Sequence, residues 1–411
     1  MGAVNVRIGI ENIGIYPCSL ALGMPVLCAA RNHDPADIRD SMMIDERSLN
    51  PLWEDPVTMA VNAARLVIND SNRKKVELLI VASESGVDQE KPMSTWVHRY
   101  LDLTPHCRNF EVKHACYGGT AAVQMAASWI AGVSHDAKAL VVTTDQSRMH
   151  LGKPWEYVLG AGASAVLISK DPQLVEIEVG KSGYWTYEIS DLTRPTLTVE
   201  TGNSETSLIS YIDALEMAYN HYCERTGEHD FDANFKKNIY HAPFGGMAWR
   251  AHRTLLRRGT PLTKDEMWSH FQKKSAGALR YLRKMGATYS SSTFIGLMGL
   301  LASSNDIEAG DRISMFSYGS GSCAEFYSVR ACPDAQYLAA ASNIDHQLAA
   351  RRLVTVGEYE ELETGRSVLV EKGNYETIDS SLDDWYESNY RRKHLLVFTG
   401  MKDYYRQYAW S

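Results

Sequence analysis

Residues 111–121 read Glu-Val-Lys-His-Ala-Cys-Tyr-Gly-Gly-Thr-Ala. This pattern predicts a β-strand that gives way to the glycine-rich start of a helix, with Cys116 at the junction. The positive end of a helix dipole lowers the pKa of a thiol, and Gly118 and Gly119 let the backbone approach a bound acyl group. Cys116 is therefore a candidate covalent nucleophile, although most single cysteines are small apolar core residues.

Two further segments place a titratable side chain directly after an apolar strand. Glu84 follows the apolar run 76–81, and His241 follows a short strand and precedes Pro243, which favours a turn over a continuing helix. In α/β folds such strand ends line the ligand crevice, where partial burial raises a glutamate pKa toward the range useful for proton transfer. Taken singly, a solvated loop glutamate and a packed histidine remain the alternatives.

Together these three segments resemble those of the 3-hydroxy-3-methylglutaryl-CoA synthase family, and the resemblance runs in order over nearly the whole chain. Family motifs are also matched by residues 316–322 (Phe-Ser-Tyr-Gly-Ser-Gly-Ser), by Arg194-Pro195 and by residues 160–163 (Gly-Ala-Gly-Ala). Colinear matches to all of these motifs leave little room for another family.

The resemblance implies a thiolase-like α/β fold, in which two similar halves stack into five α/β layers with the active site between them. Strands and helices alternate along the chain, which is consistent with that fold class. The implied boundary divides the catalytic candidates between the halves: residues 1–170 with Glu84 and Cys116, and residues 171–411 with His241 and the Ser320 loop.

The resemblance also implies a role for each candidate. Cys116 accepts an acetyl group from a donor thioester, and Glu84 removes a methyl proton so that the acetyl carbon attacks the β-ketone of a second thioester. His241 orients or polarises that acceptor, and the backbone N–H groups of Cys116 and Ser320 form the oxyanion hole. The other substrate-binding residues implied are Tyr117, Arg194, Tyr289 and Ser290.

Two positions depart from the pattern of the mevalonate enzymes. Gly246 stands where those enzymes usually carry a lysine associated with coenzyme A, and Ala287 stands where they generally carry an active-site asparagine. A glycine offers no cation for a phosphate. These departures fit the branch of the family that performs β-branching in polyketide synthesis, in which acyl groups are held by carrier proteins.

Carrier recognition is expected to use basic residues around the site, because carrier proteins are generally acidic. Arg250, Arg253 and Arg257 recur at helical spacing on one predicted face, while Leu255 and Leu256 turn toward the core. This face is the candidate docking surface for a donor and an acceptor carrier protein. A merely solvated helix face is the alternative, and Arg250 contacting a coenzyme A phosphate is another.

Composition limits the remaining possibilities. The 411 residues are 45% hydrophobic, and a net charge of −8 without a basic arm argues against nucleic-acid binding. Seven cysteines without CxxC spacing fit reduced thiols rather than a disulfide framework or a metal site. We expect a cytoplasmic enzyme without membrane association, metal or cofactor other than phosphopantetheine or coenzyme A as the substrate carrier. The resemblance further implies a homodimer.

Apolar periodicity predicts individual elements. The predicted strands are residues 6–10, 78–82, 140–144, 165–168, 237–240, 313–318 and 395–399, and the predicted helices are residues 56–68, 120–131 and 289–301. The segment from about residue 334 to 392 is rich in Glu, Asp, Tyr and Ser, with a possible helix at 346–353. It is interpreted as solvated periphery.

Three alternatives to a carrier-dependent synthase follow from the same residues. The first is the coenzyme A enzyme of mevalonate synthesis, which shares the chemistry and differs in the donor and acceptor. The second is a catalytically silent homologue, against which the intact Cys116, Glu84 and His241 argue. The third is a decarboxylating ketosynthase, which pairs its cysteine with His-His or His-Asn and leaves Glu84 unexplained.

Overall fold

The structure is a computed structural model that describes residues 7–146, 150–196, 199–259, 261–378 and 382–411. Its strands are Gly9–Tyr16 (β1), Leu20–Gly23 (β2), Glu46–Leu49 (β3), Val76–Ala82 (β4), Arg108–Val112 (β5), Lys138–Asp145 (β6), Gly162–Ser169 (β7), Val175–Thr186 (β8), Leu192–Thr193 (β9), Thr201–Gly202 (β10), Lys237–Tyr240 (β11), Arg312–Gly319 (β12), Cys323–Ala331 (β13), Arg352–Leu353 (β14), Tyr375–Glu376 (β15), Leu396–Lys402 (β16) and Tyr405–Trp410 (β17).

Its helices are Met24–Ala30 (α1), Pro35–Met42 (α2), Pro56–Ala64 (α3), Met93–Tyr100 (α4), Gly118–Gly132 (α5), Ser204–Thr226 (α6), Phe231–Asn234 (α7), Gly245–Leu256 (α8), Lys264–Lys274 (α9), Leu279–Met285 (α10), Ser291–Ser303 (α11), Ala335–Ala341 (α12), Ile344–Ala349 (α13), Val356–Leu369 (α14) and Asp383–Asn389 (α15). Short 3₁₀ turns lie at Arg73–Lys75, Ala115–Tyr117, Pro154–Tyr157 and Ala276–Ala278.

Nine strands form one mixed sheet in the order β11-β12-β13-β8-β1-β7-β6-β4-β5. A short antiparallel pairing of β1 with β8 joins its two parts. In the first part β4 and β6 are parallel, and β7 and β1 follow antiparallel. In the second part β11 and β12 are parallel, and β13 and β8 follow antiparallel. The second part thus repeats the strand order and directions of the first, and the expectation of two similar halves is confirmed.

Helices cover both faces of each half. In the first half, alternate residues of β4 face opposite sides: Leu78 and Ile80 belong to the core cluster that contains α5, and Leu79 and Val81 to the cluster that contains α3. Burial on both faces explains why these strands read as continuous apolar runs. In the second half, α6 packs on β8 and β13, and α11 packs between the halves against β7 and β11. Three helical layers and two sheet layers result.

The central helices α5 and α11 are apolar on nearly every side, as buried helices are. Residues 291–301 of α11 are all buried. The starts of α5 and α11 are in contact, because a Cβ atom added to Gly119 would lie 2.9 Å from Cβ of Ser290. The start of α5 is therefore held against the start of α11, and this contact brings the two halves of the site together.

Most predicted elements are found, with shifted ends. β11 has the predicted bounds, but the strand predicted at residues 6–10 is β1, which begins at Gly9; Val6 lies outside the described residues. The helix predicted at residues 346–353 is α13, which ends at Ala349. It is followed by β14, which pairs with β2.

The interpretation of residues 334–392 as solvated periphery is wrong. Tyr359 and Glu363 of α14 and Tyr390 are buried. Charged and polar side chains obscure this packing in the sequence, because the acidic residues of α14 alternate with the residues of its buried face.

No described helix is long and apolar enough to cross a bilayer.

The chain passes from the first half to the second between Ser169 at the end of β7 and Val175 at the start of β8. The C-terminal strand β16 nevertheless packs on α3 of the first half. There Asn62 donates from Nδ2 to the carbonyl of Leu396 and accepts from its N–H. The division into residues 1–170 and 171–411 stays a prediction.

Candidate active site

A cavity of about 490 Å³ opens between the halves of the molecule. Its lining includes five of the residues that the sequence singles out: Cys116, His241, Tyr289, Ser320 and Arg250. The nucleophile candidate of the first half and the histidine of the second half therefore share one chamber.

Cys116 lies in the 3₁₀ turn that leads into α5, as predicted, and its side chain is half-buried. The preceding residue, Ala115, has a φ of 43°, a left-handed conformation that a residue other than glycine seldom adopts. The end of β12 closes on this turn, because a Cβ atom on Gly319 would lie 2.5 Å from the carbonyl oxygen of His114. Only glycine permits so close an approach.

The expected lowering of the Cys116 pKa is wrong. Burial raises the pKa of the thiol well above its usual value, and the nearby carboxylates of Asp145, Glu84, Asp191 and Glu200 add to the effect. Burial disfavours the charged thiolate, and the nearby carboxylates oppose its negative charge. The resting nucleophile is thus a thiol, which must lose its proton as it attacks.

Glu84 lies just after β4, and its side chain is tied to the turn that contains the cysteine. Its Oε1 accepts a hydrogen bond from the backbone N–H of Ala115. Its own N–H donates to Oδ1 of Asp145 over 2.8 Å, and its carbonyl accepts from Arg194 over 2.6 Å. The backbone of Glu84 is therefore held by Asp145 and Arg194. Its carboxylate binds the N–H of Ala115, the residue directly before Cys116.

Asp145 is a residue of the site that the sequence analysis missed. It ends β6, is fully buried, and also accepts from the hydroxyl of Ser85 over 2.9 Å. Burial, together with the neighbouring charge of Glu84, raises its pKa to about 8. A carboxylate at a strand end is the same signal that identified Glu84, so the sequence offered the means to find it.

His241 follows β11, as predicted, and is buried. Its N–H donates to the carbonyl of Phe316 over 2.7 Å, and its own carbonyl accepts from the hydroxyl of Tyr211 over 2.7 Å. Burial lowers its pKa to about 3. The imidazole is neutral at physiological pH, and its Nδ1 has no hydrogen-bond partner among the described residues.

The Ser320 loop connects β12 to β13 beside Cys116. Asp191, which also lines the cavity, fixes this loop: its Oδ1 accepts from the N–H of Gly321 over 3.0 Å and its Oδ2 from the hydroxyl of Tyr318 over 2.9 Å. Asp191 follows no regular strand, and nothing in the local sequence pattern distinguishes it. The oxyanion roles of the Cys116 and Ser320 N–H groups stay predictions.

The four predicted substrate-binding residues take different places. Arg194 forms a buried ion pair with Glu200 and donates to the hydroxyl of Tyr289 over 3.1 Å. Tyr117 turns away from the cavity and donates to Oε2 of Glu325 over 2.8 Å. Ser290 is buried against the start of α5 rather than in the cavity lining. Of the four, Tyr289 alone is among the described residues that line the cavity.

The two departures from the family pattern have visible consequences. A Cβ atom on Gly246 would lie 2.0 Å from the carbonyl oxygen of Ser41, so no lysine fits there without displacing the end of α2. Ala287 lines the cavity and is held by its backbone: its N–H donates to the carbonyl of Val158, and its carbonyl accepts from Gly160, both over 2.8 Å.

The predicted docking residues share one side of α8, with the buried Leu255 and Leu256 on the other. Arg250 and Arg257 are exposed, and Arg253 lies with its guanidinium 5.7 Å from the ring centre of Trp249. Burial lowers the pKa of Arg253, and the charges of Arg257 and Arg250 add to the effect. Arg250 also reaches the cavity lining.

Comparison with known proteins gives a consistent result. Residues 52–173 match the family model "Hydroxymethylglutaryl-coenzyme A synthase N terminal", and residues 261–408 match its C-terminal counterpart. The polyketide biosynthesis 3-hydroxy-3-methylglutaryl-ACP synthase of Bacillus subtilis (strain 168) is 33% identical over 419 residues, which cover 98% of this chain and 99% of that protein. The hydroxymethylglutaryl-CoA synthase of Enterococcus faecalis is 31% identical over 79% of this chain and 82% of that protein.

Solved structures agree. The HMG synthase of the curacin biosynthetic pathway, crystallised in complex with holo donor-ACP, superposes with a TM-score of 0.93 at 37% identity, covering 98% of this chain and 100% of that one. An HMG-CoA synthase complexed with CoA superposes with a TM-score of 0.88 at 27% identity over 98% of this chain and 100% of that one. The thiolase-like fold is thereby confirmed.

Proposed function

The chain belongs to the hydroxymethylglutaryl-CoA synthase family, and from that premise we propose its reaction. It is an acyltransferase of polyketide β-branching, which adds an acetyl group to a β-ketoacyl thioester on an acyl carrier protein and then releases the product by hydrolysis. The curacin HMG synthase that was crystallised with donor-ACP is 37% identical with a TM-score of 0.93, against 27% and 0.88 for the HMG-CoA synthase complexed with CoA.

We assign the acetyl group to Cys116. The thiol attacks the donor thioester, and the glycine-rich turn around it leaves room for the acyl carbon. Because burial and the nearby carboxylates oppose a free thiolate, the proton leaves during the attack and passes to the sulfur of the departing donor thiol. The neutral His241, in the same cavity, orients the incoming thioester.

Glu84 then removes a proton from the methyl group of acetyl-Cys116. Its carboxylate is anchored to the N–H of Ala115, next to the acylated residue, so base and carbon acid are held together. The resulting carbanion attacks the β-ketone. The N–H groups of Cys116 and Ser320 stabilise the acyl oxygen, an effect worth a factor of about 10²–10³ per donor.

We infer that carrier proteins dock on the α8 face formed by Arg250, Arg253 and Arg257. Three close cations attract an acidic carrier surface, and Arg250 connects this surface to the cavity. The acyl group reaches Cys116 on a phosphopantetheine arm, and the reaction uses neither a metal nor another cofactor.

We further propose a cytoplasmic homodimer. All seven cysteines are unpaired, which suits a reducing compartment. The edge strand β5 leaves Phe110 and Val112 only partly covered, so a second copy pairing at this edge would bury them.

The observation that carries the proposed reaction is the shared cavity of Cys116 and His241, with Glu84 bonded to the residue before the cysteine. The test is a single turnover. Enzyme acetylated at Cys116 is separated from its donor and mixed with acetoacetyl-carrier protein, and the carrier is analysed by mass spectrometry. The proposal predicts a 3-hydroxy-3-methylglutaryl carrier. Acetyl-Cys116 that only hydrolyses, with the carrier unchanged, would contradict it.

A further inference from the structure

The cavity has two walls of different chemistry. The lining at the start of α6 contains the polar residues Asn203, Ser204, Glu205 and Ser207 beside Leu208. A second part of the lining is apolar throughout and is formed by Met42, Trp155, Val158, Leu159 and Ala287. A thioester acceptor likewise has two unlike ends, since its pantetheine arm contains amides and its acyl tail does not.

The apolar wall is a continuous, fixed surface. Leu159 and Ala287 form a parallel bridge, and the N–H of Leu159 donates to the carbonyl of Trp155 over 3.3 Å. These backbone bonds hold the side chains of the wall in place, so a larger side chain at Ala287 would project into the cavity. Ala287 is two residues before Tyr289, and the wall therefore begins beside the reacting groups.

The charged residues that line the cavity provide no ion-pair partner for an anionic acyl tail. Asp191 and Glu200 are both engaged, the first by Tyr318 and Gly321 and the second by Arg194. Among the described lining residues Arg250 is the one cation, and it lies at the surface. An anionic tail would meet the carboxylates of Asp191, Glu200 and Glu205, and a polar tail on the apolar wall would leave its groups without partners.

We propose that the wall formed by Met42, Trp155, Val158, Leu159 and Ala287 binds the tail of the acceptor, and that the acceptors are β-ketoacyl chains with a hydrocarbon tail. The polar start of α6 then faces the pantetheine arm. Ala287 is a specificity-determining residue, because its small side chain leaves the space the tail occupies. This assignment rests on the proposed condensation.

The test compares three carrier-bound β-ketoacyl acceptors. They are acetoacetyl, 3-oxooctanoyl, and a 3-oxoacyl chain of the same length as 3-oxooctanoyl whose tail ends in a carboxylate. The wild type is expected to use 3-oxooctanoyl at least as well as acetoacetyl, and at least tenfold better than the carboxylate chain, measured as kcat/KM. Ala287→Leu is expected to lower the ratio of 3-oxooctanoyl to acetoacetyl about tenfold or more, the range in which apolar pockets discriminate single groups.

Leu208→Trp adds bulk of the same order on the α6 side and serves as the matched variant. A lower ratio in Leu208→Trp with an unchanged ratio in Ala287→Leu would place the tail on the α6 side and overturn the proposal. Equal use of the carboxylate chain by the wild type would also overturn it. If Ala287→Leu fails to fold, Val158→Asn replaces it in the test. An amide in the wall is expected to lower the ratio of kcat/KM for 3-oxooctanoyl to that for acetoacetyl.

Different results would refute the proposed function and the assignment of the tail-binding wall. A wild-type enzyme that condenses no carrier-bound acceptor, acetoacetyl included, would refute the proposed function. A wild-type enzyme that condenses acetoacetyl while the wall variants leave the ratio unchanged would refute the tail assignment alone.

Discussion

The two halves of the molecule place different chemistry at equivalent points of the same scaffold. Glu84 follows β4, and His241 follows β11, its counterpart in the second half. Asp145 ends β6, and Ser320 follows the equivalent β12. The first half thus contributes carboxylates at its strand ends, where the second contributes an imidazole and a hydroxyl.

The starts of the central helices repeat this comparison. Ala115 precedes α5 with a φ of 43°, and Tyr289 precedes α11 with a φ of 48°. Both turns are left-handed at a residue other than glycine, and each presents a functional side chain, the thiol of Cys116 or the phenol of Tyr289. Repetition of the backbone supplies the geometry, and the residues at these points supply the division of labour between the two halves.

The largest expected effect comes from the nucleophile of the first half. Cys116→Ser removes the acyl acceptor, so the overall rate should fall by about four orders of magnitude or more. Intact-protein mass spectrometry should show no acetylated enzyme, with the thermal unfolding midpoint preserved. Cys323→Ser, a second half-buried cysteine, is the control and should still be acetylated. Acetylation of Cys116→Ser at the wild-type rate would place the acyl group elsewhere.

Glu84→Gln is expected to separate acyl transfer from condensation. The amide cannot take the methyl proton, so condensation should fall about 10²–10⁴-fold while acetyl-enzyme accumulates. Quenched-flow sampling with mass detection of both species measures the two steps. Normal turnover by the acetylated variant would remove Glu84 from the role of base.

The contact between the halves can be disturbed at Gly319. A methyl group there would meet the carbonyl of His114 at 2.5 Å and Cβ of Tyr117 at 2.7 Å. Gly319→Ala should lower the free energy of unfolding by about 1–3 kcal/mol and slow acetyl loading, as measured by denaturant titration and mass spectrometry. Gly132→Ala, at a glycine with no heavy atom within 4 Å of the added carbon, is the control. Equal stability of the two variants would mean that this contact is not tight.

The opposite pKa shifts of Cys116 in the first half and His241 in the second predict the pH dependence of thiol reactivity. Burial and carboxylates raise the pKa of Cys116, so the thiolate fraction, and with it the rate of alkylation by iodoacetamide, should still increase through neutral pH. Since burial lowers the pKa of His241 to about 3, no inflection from this histidine is expected between about pH 5 and 8. Glu84→Gln removes one negative charge and should raise the alkylation rate severalfold at a fixed pH. A slower reaction in Glu84→Gln would contradict this electrostatic account.

The smallest effect is expected on the surface. Arg257→Ala should slow loading from a carrier protein a few-fold at low ionic strength, with the difference vanishing at high salt, because rim charges act mainly on association rates. Stopped-flow measurement at two salt concentrations tests this, with Arg257→Lys as the charge-conserving control. A salt-independent loss would indicate a structural role for Arg257 instead.

Much of this arrangement was predictable from the sequence, because strand-end residues follow short apolar runs that any reader can locate. Glu84, Cys116 and His241 were identified in that way. The repeat of the two halves is implied by the family resemblance alone, since it resides in the order and direction of strands, which local sequence patterns do not reveal. The packing of residues 334–392 was also missed, because long-range pairs such as Tyr390 with Glu54 have no local signal.

At Cys116 and Gly246 the structure differs from what the sequence alone predicts. Reasoning from the helix dipole alone predicted a lowered thiol pKa, since the carboxylates around Cys116 come from distant segments. Gly246 was interpreted as a lost cation, whereas the carbonyl of Ser41 occupies the space of its side chain. In both cases the deciding neighbour is remote in the sequence.

The most direct test of the central claim is the choice of acetyl donor. Wild-type enzyme is mixed with acetyl-carrier protein or with acetyl-coenzyme A at equal, limiting concentrations, and acetylation of Cys116 is followed at short times by intact-protein mass spectrometry. The account predicts fast loading from the carrier and slow loading from coenzyme A. Efficient loading from coenzyme A, with little from the carrier, would contradict it and identify a coenzyme A-dependent synthase.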